Sequence, residues 1–170
     1  MRRAVILLAC VAVATLLTGC GGTDDTPAAQ ATVASIADGD TLRLTDGRRI
    51  RLVQIDAPEL DTGECYASRA AETLAELAPP GTRIRLESDP ALDERDRFGR
   101  LLRYVFVNSE NVNLRLVEEG AASAWFFHGD RGRYADDFLA AAQTARVAGA
   151  GLWRACPGTV LDPSRQVATD

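Results

Sequence analysis

The chain has 170 residues, of which 46% are hydrophobic and 25% are charged, so it has the size and composition of one globular domain. Its formal net charge is −5, and all 19 basic residues are arginines because the chain contains no lysine. This acidic balance excludes indiscriminate binding of polyanions, and a nucleic-acid enzyme of this composition needs a locally basic site or a metal ion.

The N-terminal segment, residues 1–19, has the pattern of an export signal, in which Arg2 and Arg3 precede an apolar run. That run is shorter than the roughly 20 apolar residues that a membrane span needs. Leu17-Thr18-Gly19-Cys20 resembles the lipobox of bacterial lipoproteins, in which cleavage precedes the cysteine and its sulfur receives diacylglycerol. We expect an exported protein, held at the outer face of a membrane by a lipid on Cys20. The alternative is an ordinary secretory signal with a chance cysteine, which gives a secreted protein.

Removal of this signal leaves 17 basic against 24 acidic residues, a net charge of −7. Residues 20–31 lack hydrophobic periodicity and are typical of a flexible tether. Three β-type runs follow, and two Asp-Gly turns separate them: the runs are residues 32–37, 41–44 and 49–55. Asp-Gly flanked by such runs predicts hairpins, so we expect a three-stranded meander.

Helical spacing of apolar residues predicts a first helix over residues 64–77, which Pro79-Pro80 ends. Residues 83–86 and 101–107 are two further strand predictions, separated by a charged loop. Five strands with a helix after the third favour an α+β fold built on a closed barrel of the OB type. Two more helices are predicted over residues 112–119 and 133–147. The domain is expected to cover residues 32–156, with a disordered tail over residues 157–170.

The four cysteines divide by position. Cys10 lies in the signal and Cys20 is the lipid candidate, so Cys65 and Cys156 remain in the domain. Two cysteines in an exported domain usually form a disulfide. Two buried free thiols are the alternative.

Acidic residues cluster at two turns of the predicted meander. Asp40 lies in the first turn, and Asp56-Ala57-Pro58-Glu59 follows the third strand. A meander returns the end of its third strand beside its first turn, so Asp40 and Asp56 would face one another. Crowded carboxylates repel unless a cation joins them, and a hard divalent cation binds oxygen ligands from separate segments. The alternative is that each aspartate only forms a turn.

Two arginines extend this pattern. Arg51 lies within the apolar third strand, where a charge needs a partner, and Arg100 ends the loop Asp96-Arg97-Phe98-Gly99-Arg100. Two guanidinium groups beside a divalent cation and a carboxylate form a site suited to phosphoryl transfer. Taken singly, each arginine is better explained as a solvated surface charge. The joint pattern favours the site.

These motifs, together with residues 112–120 and Gly151-Leu152-Trp153, resemble those of the staphylococcal nuclease (thermonuclease) family. They occur in the same order as in the family and cover residues 32–156. The resemblance implies an OB-fold barrel with three helices. It also implies a calcium-dependent endonuclease that cuts DNA and RNA to products with 3′-phosphates. Asp40 and Asp56 correspond to direct calcium ligands, and the main-chain carbonyl of Ala57 corresponds to another.

The resemblance also assigns roles to the remaining charged residues. Glu59 corresponds to the acid that positions or deprotonates the attacking water. Arg51 and Arg100 correspond to the arginines that bind the phosphate and stabilise charge during the reaction.

The nucleotide-binding residues depart from the family pattern. Arg97 and Phe98 keep a cation and a ring but lack a phenol that contacts a nucleotide phosphate. Phe126 and His128 fall near a pair of base-stacking tyrosines, so a ring can stack on a base without a hydroxyl. His128 is equally well explained as a loop residue near the surface.

The leading hypothesis is therefore a nuclease with DNA and RNA as substrates. The resemblance implies no protein partner and a monomer. A non-catalytic OB-fold module that binds nucleic acid at the cell surface is the main alternative, and a structural surface lipoprotein is a third. Retention of all five charged residues favours the enzyme.

Overall fold

Residues 29–169 are described by a computed structural model, in which short strands alternate with helices. The strands are β1 (Ala29–Asp38), β2 (Thr41–Leu44), β3 (Arg49–Leu52), β4 (Ile55–Asp56), β5 (Arg83–Glu87), β6 (Leu101–Val107), β7 (Glu110–Asn111) and β8 (Ser123–Ala124). The helices are α1 (Ala67–Leu77), α2 (Val112–Glu118), α3 (Ala135–Ala148) and α4 (Leu152–Ala155), and a 3₁₀ turn covers Phe127–Gly129.

A five-stranded barrel organises these elements. β1, β2 and β3 form the predicted antiparallel meander, and β5 pairs with both β1 and β6. The barrel closes where β3 pairs in parallel with β6, with Arg51 opposite Leu102. This closed ring of strands confirms the predicted α+β fold of the OB type.

Alternate side chains of the barrel strands fill its interior, since successive residues of a strand point to opposite faces. Leu42, Ile50 and Leu52 are fully buried there. Leu116 of α2 and Phe138 of α3 are buried in the same core, so both helices pack on the barrel. Burial of each such side chain contributes roughly 1.5 to 3 kcal/mol relative to exposure.

The predicted third strand over residues 49–55 is divided in the structure. Gln54 has a φ of 66°, in the left-handed region, and β4 pairs with β8 beyond it. The Gln54 side chain donates to the carbonyl of Asp130 and accepts from the amide of Gly132, both at 2.8 Å. These distant partners stabilise a turn that strand propensity does not predict, so the single-strand boundary was wrong.

The turn between β1 and β2 lies against the end of β4 and against α1. A Cβ atom at Gly39 would be 2.7 Å from Ala57 Cβ and 2.8 Å from Ala70 Cβ. Only glycine allows this approach. The close packing brings the carboxylate of Asp40 next to the chain that carries Asp56.

The predicted disulfide is confirmed in the structure. Cys65, just before α1, is bonded to Cys156, just after α4, with 5.9 Å between the Cα atoms. The bond ties the segment that follows the acidic motif to the C-terminal helix. Leu152 and Val167 pack in a small apolar cluster beside it.

The predicted disorder of residues 157–170 is wrong for the tail up to Thr169. The amide of Phe126 donates to the carbonyl of Pro163 at 2.7 Å, and Val167 and Thr169 are buried. Main-chain groups and a few isolated side chains make these contacts, so the tail composition carries no periodic pattern that predicts them. The predicted tether also ends before residue 31, because Ala29 already pairs with Leu86.

The predicted signal at residues 1–19, the lipid site at Cys20 and residues 20–28 of the tether lie outside the described residues. Between residues 29 and 169, the structure contains no helix that combines the length and apolar composition needed to cross a membrane.

Candidate active site

One buried arginine joins the two aspartates that the sequence singles out. Arg51 Nη2 lies 2.9 Å from Asp40 Oδ2 and 2.6 Å from Asp56 Oδ1. The three side chains are only 5%, 4% and 2% exposed. The β1–β2 turn, β3 and the end of β4 thus meet at one charged cluster, as the meander predicts.

The Arg51 side chain is held by main-chain groups as well. Its Nη1 donates to the carbonyls of Leu52 at 2.9 Å and Ile55 at 2.8 Å. These two carbonyls flank the turn that separates β3 from β4, so the turn fixes the guanidinium orientation. A buried ion pair stabilises a fold only when its remaining hydrogen-bonding groups are satisfied, and both Nη atoms of Arg51 have such partners.

Each aspartate also accepts hydrogen bonds from neighbouring groups. Asp40 accepts from the Thr41 hydroxyl at 2.9 Å and from the Ala57 amide at 3.0 Å. Asp56 accepts from the main-chain amide of Val167 at 2.8 Å and from the Gln166 side chain at 3.4 Å. A carboxylate offers about four lone-pair sites, so each aspartate with three donors retains capacity for one further ligand.

Several carboxylates share this small volume. Burial raises the pKa of Glu59 to about 8, and a hydrogen bond to the Asp38 carboxyl and the charges of Asp40, Asp38 and Asp56 act in the same direction. Burial also raises the pKa of Asp56 to about 6, although the Arg51 charge opposes this shift. One guanidinium does not offset so many acids, and the cluster therefore favours an added cation.

The donor chemistry fits a hard divalent cation, since Asp40, Asp56 and Glu59 offer carboxylate oxygens. As they stand, however, no three acidic, cysteine or histidine side chains within residues 29–169 are grouped to hold a metal ion. Arg51 instead occupies the position between the two aspartates. The residues that would hold the cation are present, but the coordination geometry is not preformed.

Arg100 approaches the cluster from the loop before β6. Asp96 fixes it, accepting from the Arg100 amide at 2.9 Å and from its Nε at 2.5 Å. The Nη1 of Arg100 lies 3.3 Å from the Thr41 hydroxyl, which in turn donates to Asp40. A chain of polar contacts therefore connects Arg100 to the first aspartate.

Arg51, Glu59 and Arg100 line one open cleft with a volume of about 560 Å³. The cleft contains four arginines and four acids: Arg51, Arg95, Arg97 and Arg100, with Glu59, Asp93, Asp96 and Asp130. Its walls are formally neutral, and two buried aspartates lie behind them. A polyanion would bind poorly to such a surface unless a cation adds positive charge.

Aromatic side chains form part of the cleft wall, but they are not all the predicted ones. Phe98 lines the cleft and is exposed, as expected for a substrate contact. Phe126 is only 4% exposed and does not line the cleft, whereas Phe127 is 54% exposed and lines it with Trp125. The predicted role of Phe126 as a stacking residue is therefore wrong.

The alternation of side chains in this extended segment explains the correction. The amide of Trp125 donates to Gln54 and that of Phe126 to Pro163, so the chain is paired on both sides. Residues two apart then share a face, which puts Trp125 and Phe127 on the cleft side. His128 lies outside the cleft lining and stacks on Phe127, with ring centroids 3.9 Å apart. Period-two alternation is the signal that could have found Trp125 and Phe127.

Comparison with known proteins gives a consistent result. A family model described as "Staphylococcal nuclease homologue" matches residues 49–155. An "Uncharacterized endonuclease" of Haemophilus influenzae is 31% identical over 171 residues, covering 97% of this chain and 85% of that protein. A "Micrococcal nuclease" of Shigella flexneri is 36% identical over 109 residues, which are 57% of this chain and 59% of that protein.

A "Thermonuclease" of Staphylococcus intermedius is 35% identical over 101 residues, which are 56% of this chain and 59% of that protein. The family match includes Arg51, Asp56, Glu59 and Arg100 and begins after Asp40. More than half of the chain fits the family model, and the closed barrel carries the charged cluster at one cleft. The chain therefore belongs to the staphylococcal nuclease family.

Proposed function

We propose that this protein is a calcium-dependent nuclease that hydrolyses phosphodiester bonds of DNA and RNA. One observation carries the proposal: Arg51 joins Asp40 to Asp56, and the same arginine shares a cleft with Glu59 and Arg100. Water would add to phosphorus as the bond to the 5′-oxygen breaks, which gives a 3′-phosphate and a 5′-hydroxyl.

The cation would be held by the carboxylates of Asp40 and Asp56, with the main-chain carbonyl of Ala57 as a further ligand. When bound, calcium supplies positive charge to the phosphate and acidifies a nearby water molecule. Two observations support this assignment. The cleft lining is formally neutral although phosphate needs a net positive site, and the carboxylates near Glu59 outnumber the one guanidinium that contacts Asp40 and Asp56.

Arg100 and Arg51 would bind phosphate oxygens and stabilise the charge that develops on them. Both are fixed by neighbouring groups before substrate arrives, Arg51 by two carbonyls and Arg100 by Asp96. For Arg100, such prior fixing avoids reorganisation during the reaction, whereas Arg51 first has to leave its position between the two aspartates to the cation. Arg97 and Phe98 lie on the same cleft and would contact the flanking nucleotide.

Glu59 would accept a proton from the attacking water. Its carboxyl is partly buried and its pKa is raised to about 8, which strengthens it as a base near neutral pH. The group reaches the cleft surface, where substrate and water have access. A nearby cation would favour its ionised form and so prepare it to accept the proton.

The test is cleavage of labelled single-stranded DNA and RNA by the purified protein, with calcium or with a chelator. We expect cleavage only with calcium, and products that polymerase extends only after phosphatase treatment. Glu59→Gln and Arg100→Ala should each lower kcat by about 100-fold or more, since each removes a group that acts in the transition state. Glu118→Gln on the outer face of α2 is the matched control and should leave the rate unchanged. Wild-type protein without calcium-dependent cleavage would refute the proposal.

A binding module without catalysis is the second candidate, because the same cleft and aromatic wall suit single-stranded nucleic acid. The two functions differ in the same experiment. A module would retard labelled DNA in a gel and leave it uncut even when calcium is present.

The proposal includes an exported protein with a lipid on Cys20, which the sequence Leu17-Thr18-Gly19-Cys20 supports. Mass spectrometry of the mature protein tests this directly. An unmodified Cys20 in the mature chain, or a Cys20→Ser variant with unchanged membrane association, would contradict it.

A further inference from the structure

The C-terminal tail reaches the side chain of a predicted metal ligand. The main-chain amide of Val167 donates to Asp56 Oδ2 at 2.8 Å, and the Gln166 side chain lies 3.4 Å from Asp56 Oδ1. These donors come from 110 and 111 residues further along the chain. Apart from Arg51, they are the polar partners that the structure gives to the Asp56 carboxylate within residues 29–169.

The tail is anchored on both sides of this contact. Upstream, the Pro163 carbonyl accepts from the Phe126 amide at 2.7 Å. Downstream, the Thr169 hydroxyl donates to the carbonyl of Cys65 at 2.8 Å, and the Cys65 amide donates back to Thr169 at 3.3 Å. Val167 itself is buried beside Cys156. The disulfide and these bonds hold the Val167 amide in place.

Charge explains why such a donor is useful at Asp56. Arg51 is shared with Asp40, so a single guanidinium serves two buried carboxylates. A main-chain N–H stabilises an anion through its dipole without supplying a competing full charge. Groups that hydrogen-bond a metal-binding carboxylate orient it, and their loss typically weakens metal binding by about 10- to 100-fold.

The tail lies beside the cleft and leaves it open. Gln166 is the residue of segment 157–169 that lines the cleft, and the Val167 side chain packs in the cluster of Leu152 and Cys156. The Asp56 carboxylate also keeps a lone-pair site for a further ligand. The tail therefore forms one side of the cleft and does not fill it.

From these contacts we infer that residues 163–169 belong to the active site. The Val167 amide is a positioning group that orients Asp56 for the cation, and Gln166 borders the phosphate position. This inference rests on the proposed calcium-dependent function.

A matched pair of variants tests the Val167 amide. Val167→Pro removes the N–H but keeps an apolar side chain, whereas Val167→Ala keeps the N–H and shortens the side chain. We expect Val167→Pro to weaken calcium binding by about 10-fold in isothermal titration calorimetry, and Val167→Ala by less than about twofold. The rate of Val167→Pro should recover at saturating calcium, because a positioning defect is a defect of cation affinity.

A shortened protein that ends at Thr159 supplies the second measurement, which also serves if Val167→Pro does not fold. We expect this shortened protein to bind calcium more weakly than the wild type, as Val167→Pro does. Equal calcium affinities for the proline and alanine variants would overturn the inference, and so would higher affinity or faster cleavage after shortening. If the wild-type protein neither binds calcium nor cleaves, the proposed function fails. If the wild-type protein does both and the variants bind calcium equally well, only the inference about the tail fails.

Discussion

Arg51 shows how one side chain can serve both the fold and the chemistry. Its guanidinium contacts Asp40, Asp56 and two carbonyls of the β3–β4 turn, all in a buried position. Removal of such a group leaves two buried carboxylates without a positive partner, which is costly. An arginine in this chain says little by itself, because the chain contains no lysine. Its position within an apolar strand is the informative feature.

Glu59 gives a prediction at the residue scale. Its pKa is raised above the ordinary value to about 8, so the carboxyl favours the folded state while protonated and loses this contribution as pH rises through about 8. In the presence of a chelator, the melting temperature should therefore fall between pH 6 and pH 8. Glu59→Gln should flatten the curve in this window, and added calcium should oppose the fall. Differential scanning calorimetry provides the measurement.

The window above pH 6 separates Glu59 from Asp56, since the pKa of Asp56 is raised only to about 6. The wild type and Glu59→Gln share the contribution that Asp56 makes to stability at lower pH. Parallel curves for wild type and Glu59→Gln between pH 6 and pH 8 would contradict the assigned shift.

The segment from β8 to the 3₁₀ turn shows how neighbouring elements select which rings reach the cleft. The Gln54 carbonyl accepts from the Trp125 amide, and its side chain bonds to Asp130 and Gly132 just after the turn. These bonds fix which face of the extended chain points to the cleft. The exposed Phe127 ring stacks on the imidazole of His128.

Phe127 and Phe126 give a prediction at the scale of this element. Phe127→Ala should raise the KM for single-stranded oligonucleotides by about 5- to 150-fold with little change in kcat, because base stacking contributes roughly 1 to 3 kcal/mol. Phe126→Ala should instead destabilise the fold by about 3 to 5 kcal/mol, since its ring is buried. Steady-state kinetics and urea unfolding of the two variants measure these effects. Unchanged KM in Phe127→Ala would place substrate bases elsewhere.

At the scale of the whole molecule, barrel closure assembles the site from distant parts of the chain. The parallel pairing of β3 with β6 sets Arg51 opposite Leu102 and so brings the Arg100 loop to the cleft. The disulfide then connects the segment after Glu59 to the C-terminal helix, and the tail returns to Asp56. Each connection spans many residues and is made only in the folded barrel.

The disulfide gives a prediction at this scale. It joins cysteines 91 positions apart, and the chain-entropy model assigns such a loop about 4 to 5 kcal/mol. The double variant Cys65→Ala/Cys156→Ala should lose stability of this order in urea unfolding. Calcium affinity should fall as well, because the tail that contacts Asp56 is hydrogen-bonded to the main chain of Cys65. A loss below about 1 kcal/mol would mean that the bond constrains the unfolded chain little.

Much of the barrel was predictable, because its signals are local. Asp-Gly turns between β-type runs predict the first hairpins, and helical spacing predicts α1 and α3 to within a few residues. The turn at Gln54 and the packed tail were not predictable, since distant hydrogen bonds stabilise both. Phe126 was misassigned for a related reason: family position suggested a ring on the cleft, and the local pairing pattern decides which ring faces it.

The sequence by itself determined the order of most elements and the positions of the charged residues, with Arg51 inside a strand and Asp40, Asp56, Glu59 and Arg100 at turns and strand ends, and it favoured a disulfide between two cysteines. Short-range propensity and charge repulsion act over a few residues, so a linear pattern records them. The tertiary structure alone decided that one guanidinium bridges both aspartates, that Trp125 and Phe127 face the cleft, and that the tail binds Asp56. These contacts join residues far apart in the chain, and they exist only after the barrel has closed.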